Sequence, residues 1–169
     1  MLYLAGKGEM EICRQMVLRV LGNGQALERL AVMVEAQGGD SRMIRNPQLL
    51  EKAPLIYPVR APRSGYITHM DTENCGIASA MLGAGRETKD SRIDYGAGII
   101  LERKTGDFVE KGQVLAQFYA SDEKLFTAAE ERFLHAVVIG NEKPERQPLI
   151  YARVTKDGVV NDYKTAGKE

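Results

Sequence analysis

The chain has 169 residues, 44% hydrophobic and 27% charged, enough for one buried core or a core with a helical appendage. Lys+Arg and Asp+Glu balance at 23 each, so no global field recruits nucleic acid or an anionic membrane, and no apolar run is long enough to span a bilayer. The distant Cys13 and Cys75 read as free thiols in a reducing cytoplasm, and with only His69 and His135 a histidine-based metal cluster is nearly excluded.

Met1-Leu2-Tyr3-Leu4-Ala5 is apolar and uncapped, unlike a signal peptide, and reads as the last turn of a longer helix stopped by Gly6 and Gly8. Residues 9–21 predict an amphipathic helix with Ile12, Cys13, Met16, Val17, Val20 and Leu21 on one face. Gly22-Asn23-Gly24 ends it. Residues 25–36 predict a second helix, striped by Leu27, Leu30, Ala31 and Val34 and closed by Gly38-Gly39. The short link argues for an antiparallel pair whose stripes pack as core, leaning on something further.

A polar connection over residues 40–52 carries Asn46-Pro47 and one helical turn at 48–51. Pro54, Pro58 and Pro62 then punctuate apolar pairs, which makes Leu55-Ile56-Tyr57 and Val59-Arg60 edge strands or extended crossings. Residues 64–70 predict a strand with Tyr66, Thr68 and Met70 facing one way and Ile67 and His69 the other. Asp71 is the N-cap of a helix bearing Ile77, Ala78, Ala80, Met81 and Leu82 and ended by Gly83 and Gly85. The most patterned stretch, 83–119, reads as a glycine loop, a buried strand over 93–101 and a hairpin of two alternating strands bounded by turns at 105–107 and 110–113. Ser121 is the expected cap of a helix over 122–138, with Leu125, Phe126, Ala129, Phe133, Ala136 and Val137 inward. A polar loop, a final strand over 148–154 and a frayed polar tail over 156–169 complete the chain.

The residues show no reaction of their own. No G-x-S-x-G elbow or P-loop occurs. Gly83-Ala84-Gly85-Arg86-Glu87-Thr88 begins like a dinucleotide fingerprint, but it follows a helix and lacks the last glycine. Glycines beside Arg86, Lys89 and Arg92 could hold an anion. The more frequent use of such a segment is a helix C-cap and solvated loop, with Arg86 pairing a carboxylate such as Asp94. His69 and His135 have no catalytic partners, and no acid–base carboxylate pair stands out.

Gly106-Asp107-x-Val109-x-Lys111-Gly112-x-x-Leu115 resembles the hairpin of biotinyl and lipoyl carrier domains, without the M-K-M or D-K-A lysine that a carrier needs. More specifically, Ser64-Gly65-Tyr66-Ile67, Gly76-Ile77-Ala78, Leu82-Gly83-Ala84-Gly85-Arg86-Glu87-Thr88-Lys89, Ile93-Asp94-Tyr95, Gly98-Ile99 and Tyr119-Ala120-x-Asp122-Glu123 resemble the C-terminal part of bacterial pyrimidine-nucleoside phosphorylases, with the thymidine phosphorylases. Leu2-x-Leu4-Ala5-Gly6-Lys7, Asn23-Gly24-x-Ala26-Leu27-Glu28 and Ala36-Gln37-Gly38-Gly39-Asp40 extend the match upstream in order.

The resemblance implies an α+β fold: a short N-terminal helical segment over 1–53 that is the tail of a larger α/β domain, then a β-rich barrel-sandwich-hybrid, lipoyl-like or hammerhead, domain over 54–155 with flanking helices. Residues 156–169 form a private tail. It implies a pentosyltransferase parent, homodimeric and cytoplasmic, that splits a pyrimidine nucleoside with phosphate as co-substrate. The family's phosphate and base contacts correspond to positions before Met1, so no catalytic residue, cofactor or metal ligand carries over. The chain is therefore expected to fold but not to catalyse alone, with the remainder of the enzyme as its partner. Gly83, Gly85, Arg86 and Asp94 form the structural loop of interest, and Arg86 is the candidate cleft residue. A stand-alone binding module without a carrier lysine, or a short regulatory paralogue, are the alternatives.

Overall fold

A computed structural model describes residues 1–86, 88–145 and 150–160. The chain divides into two compact units, Met1–Glu51 and the part from Lys52 onward. In the first, Met1 to Lys7 make one turn, with the Ala5 amide donating to the Met1 carbonyl at 3.0 Å, and Gly6 leaves it at φ 67°. Helix α1 (Met10–Gly22) and helix α2 (Gln25–Ala36) follow as the periodicity predicts. At the end of α2 the Gly38 and Gly39 amides donate to the Glu35 and Val34 carbonyls while Gly38 takes φ 81°, so both glycines satisfy carbonyls the helix leaves open. The expected stripes are not covered. Cys13 is the buried residue of α1 and Ala31 that of α2, while Ile12, Val17, Leu21, Leu27 and Leu30 are exposed. Two helices of 13 and 12 residues do not have enough facing surface to bury two stripes. The connection forms α3 (Arg42–Arg45), which the sequence did not predict, and a 3-10 turn over Pro47–Leu49 capped by the Asn46 side chain.

The second unit is built on two three-stranded antiparallel sheets. One has the order β1 (Leu55–Arg60), β5 (Val114–Ala120), β3 (Gly98–Leu101). The other has the order β4 (Phe108–Val109), β2 (Gly65–Met70), β6 (Val137–Gly140). β1 runs unbroken through Pro58 and lies at a sheet edge, where a missing N–H costs no ladder bond. The expected β4–β5 hairpin does not form: the two strands belong to different sheets. The 110–113 turn instead passes the chain from one sheet to the other, as residues 60–65 do in the opposite sense. These two crossings are stitched together: Ala61 N–H donates to Gln113 O, Gly112 N–H to Ala61 O, both at 2.8 Å, and Lys111 N–H to Ser64 Oγ at 2.9 Å. No closed barrel forms among the described residues.

The core gathers Val59, Ile67, Leu82, Val109, Leu115, Phe118 and Phe133, all with 1% exposure or less. Burying one such side chain is worth roughly 1.5–3 kcal/mol. Met70 packs against the same core as Ile67, contrary to simple alternation. Ile67 pairs with Ile139 but His69 with Val138, so Thr68 is an extra residue that reverses the phase of the strand.

Helix α4 (Thr72–Ser79) is capped as predicted: Asp71 accepts from the Glu73 and Asn74 amides at 3.0 and 3.2 Å. It continues as a π-helical turn over Ala80–Ala84 that Gly83 ends at φ 105°. Helix α5 (Leu125–Ala136) buries Phe126, Ala129, Phe133 and Ala136. Val137 and Val138, expected in this helix, start β6. Tyr57 of β1 stacks on Phe126 at 5.1 Å and its hydroxyl donates to Glu130 at 2.8 Å, which fixes α5 over the first sheet. Of the predicted final strand, residues 148–149 lie outside the described residues. β7 (Arg153–Thr155) and β8 (Gly158–Val160) make a hairpin, so the expected fraying is not seen over 156–160, and residues 161–169 lie outside the described residues.

Candidate functional site

The glycine loop is held at its base. The amide of Asp94 donates to the Gly83 carbonyl at 2.9 Å, which joins the end of the π-helical turn to the chain returning from the loop. Gly83 is required there twice over: its φ is positive, and a Cβ would meet the Asp94 Cβ at 3.3 Å. At Gly85 a Cβ would stand 2.8 Å from the Ala80 Cβ. Asp94 then starts a turn, not the expected strand. Its Oδ1 accepts from Gly96 N–H at 2.9 Å and its carbonyl from Ala97 N–H at 3.2 Å, so β3 begins only at Gly98. Gly96 lies so close to the chain at Ala53 that a Cβ would be 2.5 Å from that nitrogen.

The expected Arg86–Asp94 pair does not form. Asp94 Oδ2 takes a 2.6 Å hydrogen bond from Ser121 Oγ. Ser121 therefore does not cap α5, whose N-cap is Lys124 with no side-chain cap bond; Asp122 Oδ1 accepts from Lys124 N–H at 3.0 Å in the turn just before the helix. Ser121 is the residue that sequence reasoning missed at this site. Its position before Asp122-Glu123 looks like a helix start, and no local signal points across 27 residues to Asp94.

Arg86, Lys89 and Arg92 are exposed and hydrogen-bond to no other described residue. Thr88 and Ser91 close a small turn between them, with Thr88 N–H donating to Ser91 Oγ at 3.0 Å. The loop thus presents three exposed cations on a hydrogen-bonded stem. Among the described residues, no three His, Cys, Asp or Glu side chains are grouped to hold a metal, and no helix is long and apolar enough to cross a membrane.

The Ser121 hydrogen bond, then the Gly96 amide, hold the Asp94 carboxyl below the usual carboxylate range against a small opposing effect of burial, with the Arg92 charge adding a little. Asp71 is held low chiefly by Asn74. A carboxyl with a depressed folded value stabilises the fold fully above its unfolded pKa, about 3.9, and loses that contribution as pH falls toward the folded value. The thermal midpoint is therefore expected to be flat from pH 7 to 5 and to drop below about pH 4. Asp94→Asn should make that drop shallower in a melting series; an unchanged acid limb would refute the assignment.

Comparison with known proteins bears on what this unit is. Residues 66–140 match the pyrimidine nucleoside phosphorylase C-terminal domain family. The chain is 39% identical over 140 residues to a thymidine phosphorylase of Rhizobium meliloti (strain 1021), covering 82% of this chain and 32% of that protein. It is 38% identical over 122 residues to a pyrimidine-nucleoside phosphorylase of Staphylococcus aureus (strain USA300), covering 72% of this chain and 28% of that protein. The chain spans about a third of the length of the curated relatives it matches. The matched span runs from β2 to β6 and contains the Gly83–Asp94 clasp, the two core phenylalanines of β5 and α5, and both sheets in part. Residues 66–140 thus belong to the pyrimidine nucleoside phosphorylase C-terminal domain family.

Proposed function

We propose that the chain serves as the C-terminal domain of an enzyme that splits a pyrimidine nucleoside with phosphate, giving the free base and a pentose 1-phosphate. The observation that carries this is the 39% identity to a thymidine phosphorylase over 82% of the chain. Phosphate is then the co-substrate, no other cofactor is required, and the partner is the remainder of a homodimeric cytoplasmic enzyme. Residues 1–53 belong to the tail of its larger α/β part and residues 54–155 form the C-terminal domain proper. The two sheets and their paired crossings support reading that domain as an open relative of the lipoyl and biotinyl hammerhead.

The chemistry divides between this chain and the rest. Breaking the glycosidic bond builds positive charge on the sugar and needs phosphate positioned against it by cations and donors. Arg86, Lys89 and Arg92 lie exposed on one loop, and on this reading the phosphate and base contacts come from outside these 169 residues. The domain contributes a rigid β scaffold that presents one loop to the cleft, where closure brings the substrates together and excludes water. Arg86 on that loop holds the closed form. This reading is favoured over a stand-alone binding module or a regulatory paralogue because phosphorylase relatives match most of the chain.

The test is a phosphorolysis assay on uridine and thymidine. The chain alone should release no base, and an enzyme containing it should. In that enzyme Arg86→Ala is expected to lower kcat about tenfold or more, the loss of one charge-assisted contact, with little change in melting temperature. Base release by the chain alone would overturn the division of roles, and unchanged kinetics in the variant would remove Arg86 from the closed form.

A further inference from the structure

We propose that Asp94 is a positioning residue that clasps the stem of the 84–93 loop to the junction between β5 and α5, and so sets where the loop holds Arg86. Asp94 bonds within its own turn and to two other pieces of chain. Its amide binds Gly83 O at 2.9 Å, at the end of the π-helical turn. Its carboxylate uses one oxygen for Gly96 N–H at 2.9 Å and the other for Ser121 Oγ at 2.6 Å. Ser121 follows directly on β5, whose Ala116, Phe118 and Ala120 are fully buried, so the clasp is anchored on the buried central strand of the first sheet. At the other end Gly83 leaves the π-helical turn at φ 105°, so close to Asp94 that a Cβ there would stand 3.3 Å from the Asp94 Cβ. Beyond the stem, the hydrogen bonds among described loop residues are internal ones between Thr88 and Ser91.

One residue therefore decides whether the loop has a defined base. An alanine at 94 keeps the backbone bond to Gly83 but loses both carboxylate bonds. Asparagine keeps an acceptor oxygen for one of them. The part of this inference that concerns Arg86 rests on the proposed phosphorylase role; the clasp itself does not.

Limited trypsin digestion of this chain separates the two. Asp94→Ala is expected to speed cleavage after Lys89 and Arg92 about tenfold, as loss of a charge-assisted bond at a local opening would, and to leave cleavage after the exposed Lys104 and Lys111, which lie away from the clasp, unchanged. Asp94→Asn should fall between wild type and alanine. Equal acceleration at all four sites would show general destabilisation, and no acceleration would show a stem that stands without Asp94; either overturns the clasp. In an enzyme carrying this domain, Asp94→Ala should lower kcat as Arg86→Ala does, and the double variant should be no slower than the worse single one. Multiplying effects would mean that Asp94 does not act through Arg86. A silent Arg86→Ala would overturn the role of Arg86 while the digestion still decides the clasp.

Discussion

Replacing Phe133 by alanine is expected to cost about 3–5 kcal/mol, the range for deleting a large aromatic from a well-packed core. Phe133 is fully buried on α5 and meets Phe118 of β5 edge to face, with ring centroids 5.4 Å apart and planes at 87°. The pair joins the helix to the central strand of the first sheet. Its loss removes apolar burial, opens a cavity, and forfeits an aromatic contact worth about 0.5–1.5 kcal/mol beyond burial. A urea titration followed by the exposure of tyrosines would show a lower midpoint with an unchanged slope. Phe133→Leu, which keeps most of the volume, should recover more than half of the loss. If alanine cost less than about 1 kcal/mol, within the range of surface changes, the helix would not be packed as described.

Gly65→Ala is expected to be of similar size, about 2–5 kcal/mol, for a different reason. Gly65 opens β2 at φ 149°, where an L side chain is strained, and a Cβ there would stand 2.5 Å from Gly140 O and 2.8 Å from Ile139 Cγ2. Backbone strain of about 1–3 kcal/mol adds to an overpacking cost of similar size. The neighbour is strand backbone in the ladder to β6, so relief means breaking β2–β6 pairing. Gly106→Ala is the control: its φ is 97° but no atom lies within 4 Å of the added Cβ, so it should lose the strain alone. Equal losses at the two glycines would show that the strand contact is not what matters at Gly65.

Features decided within a few residues were legible in the sequence. Asp71 caps α4 because its side chain reaches amides two and three residues on, and Gly38-Gly39 close α2 through the carbonyls just behind them. Pro58 marked an edge strand or an extended crossing because a missing donor is a local fact, and the structure shows the edge strand. The family was legible too, since its motifs stand in order along the chain. What failed depends on distant partners. Ser121 could cap a helix or bind Asp94, and only the fold brings Asp94 near enough to win. The turn at 110–113 is a good hairpin signal, but β1 and β2 take the two strands to different sheets. The bulge at Thr68 is visible only against the register of β6.

The same sheet order has a consequence for synthesis. β1 finds its partner in β5 and β2 finds β6, so each sheet joins segments about sixty to seventy residues apart. At roughly 5–20 residues per second, β1 waits on the order of several seconds for Ala120 to be made, and β2 waits about as long for Gly140. Such non-local pairing also makes folding slow once the chain is complete. During that interval Leu55, Ile56 and Tyr57 form an unpaired apolar strand, the kind of segment that seeds aggregates. Pro54 and Pro58 flank it on the ribosome as gatekeepers.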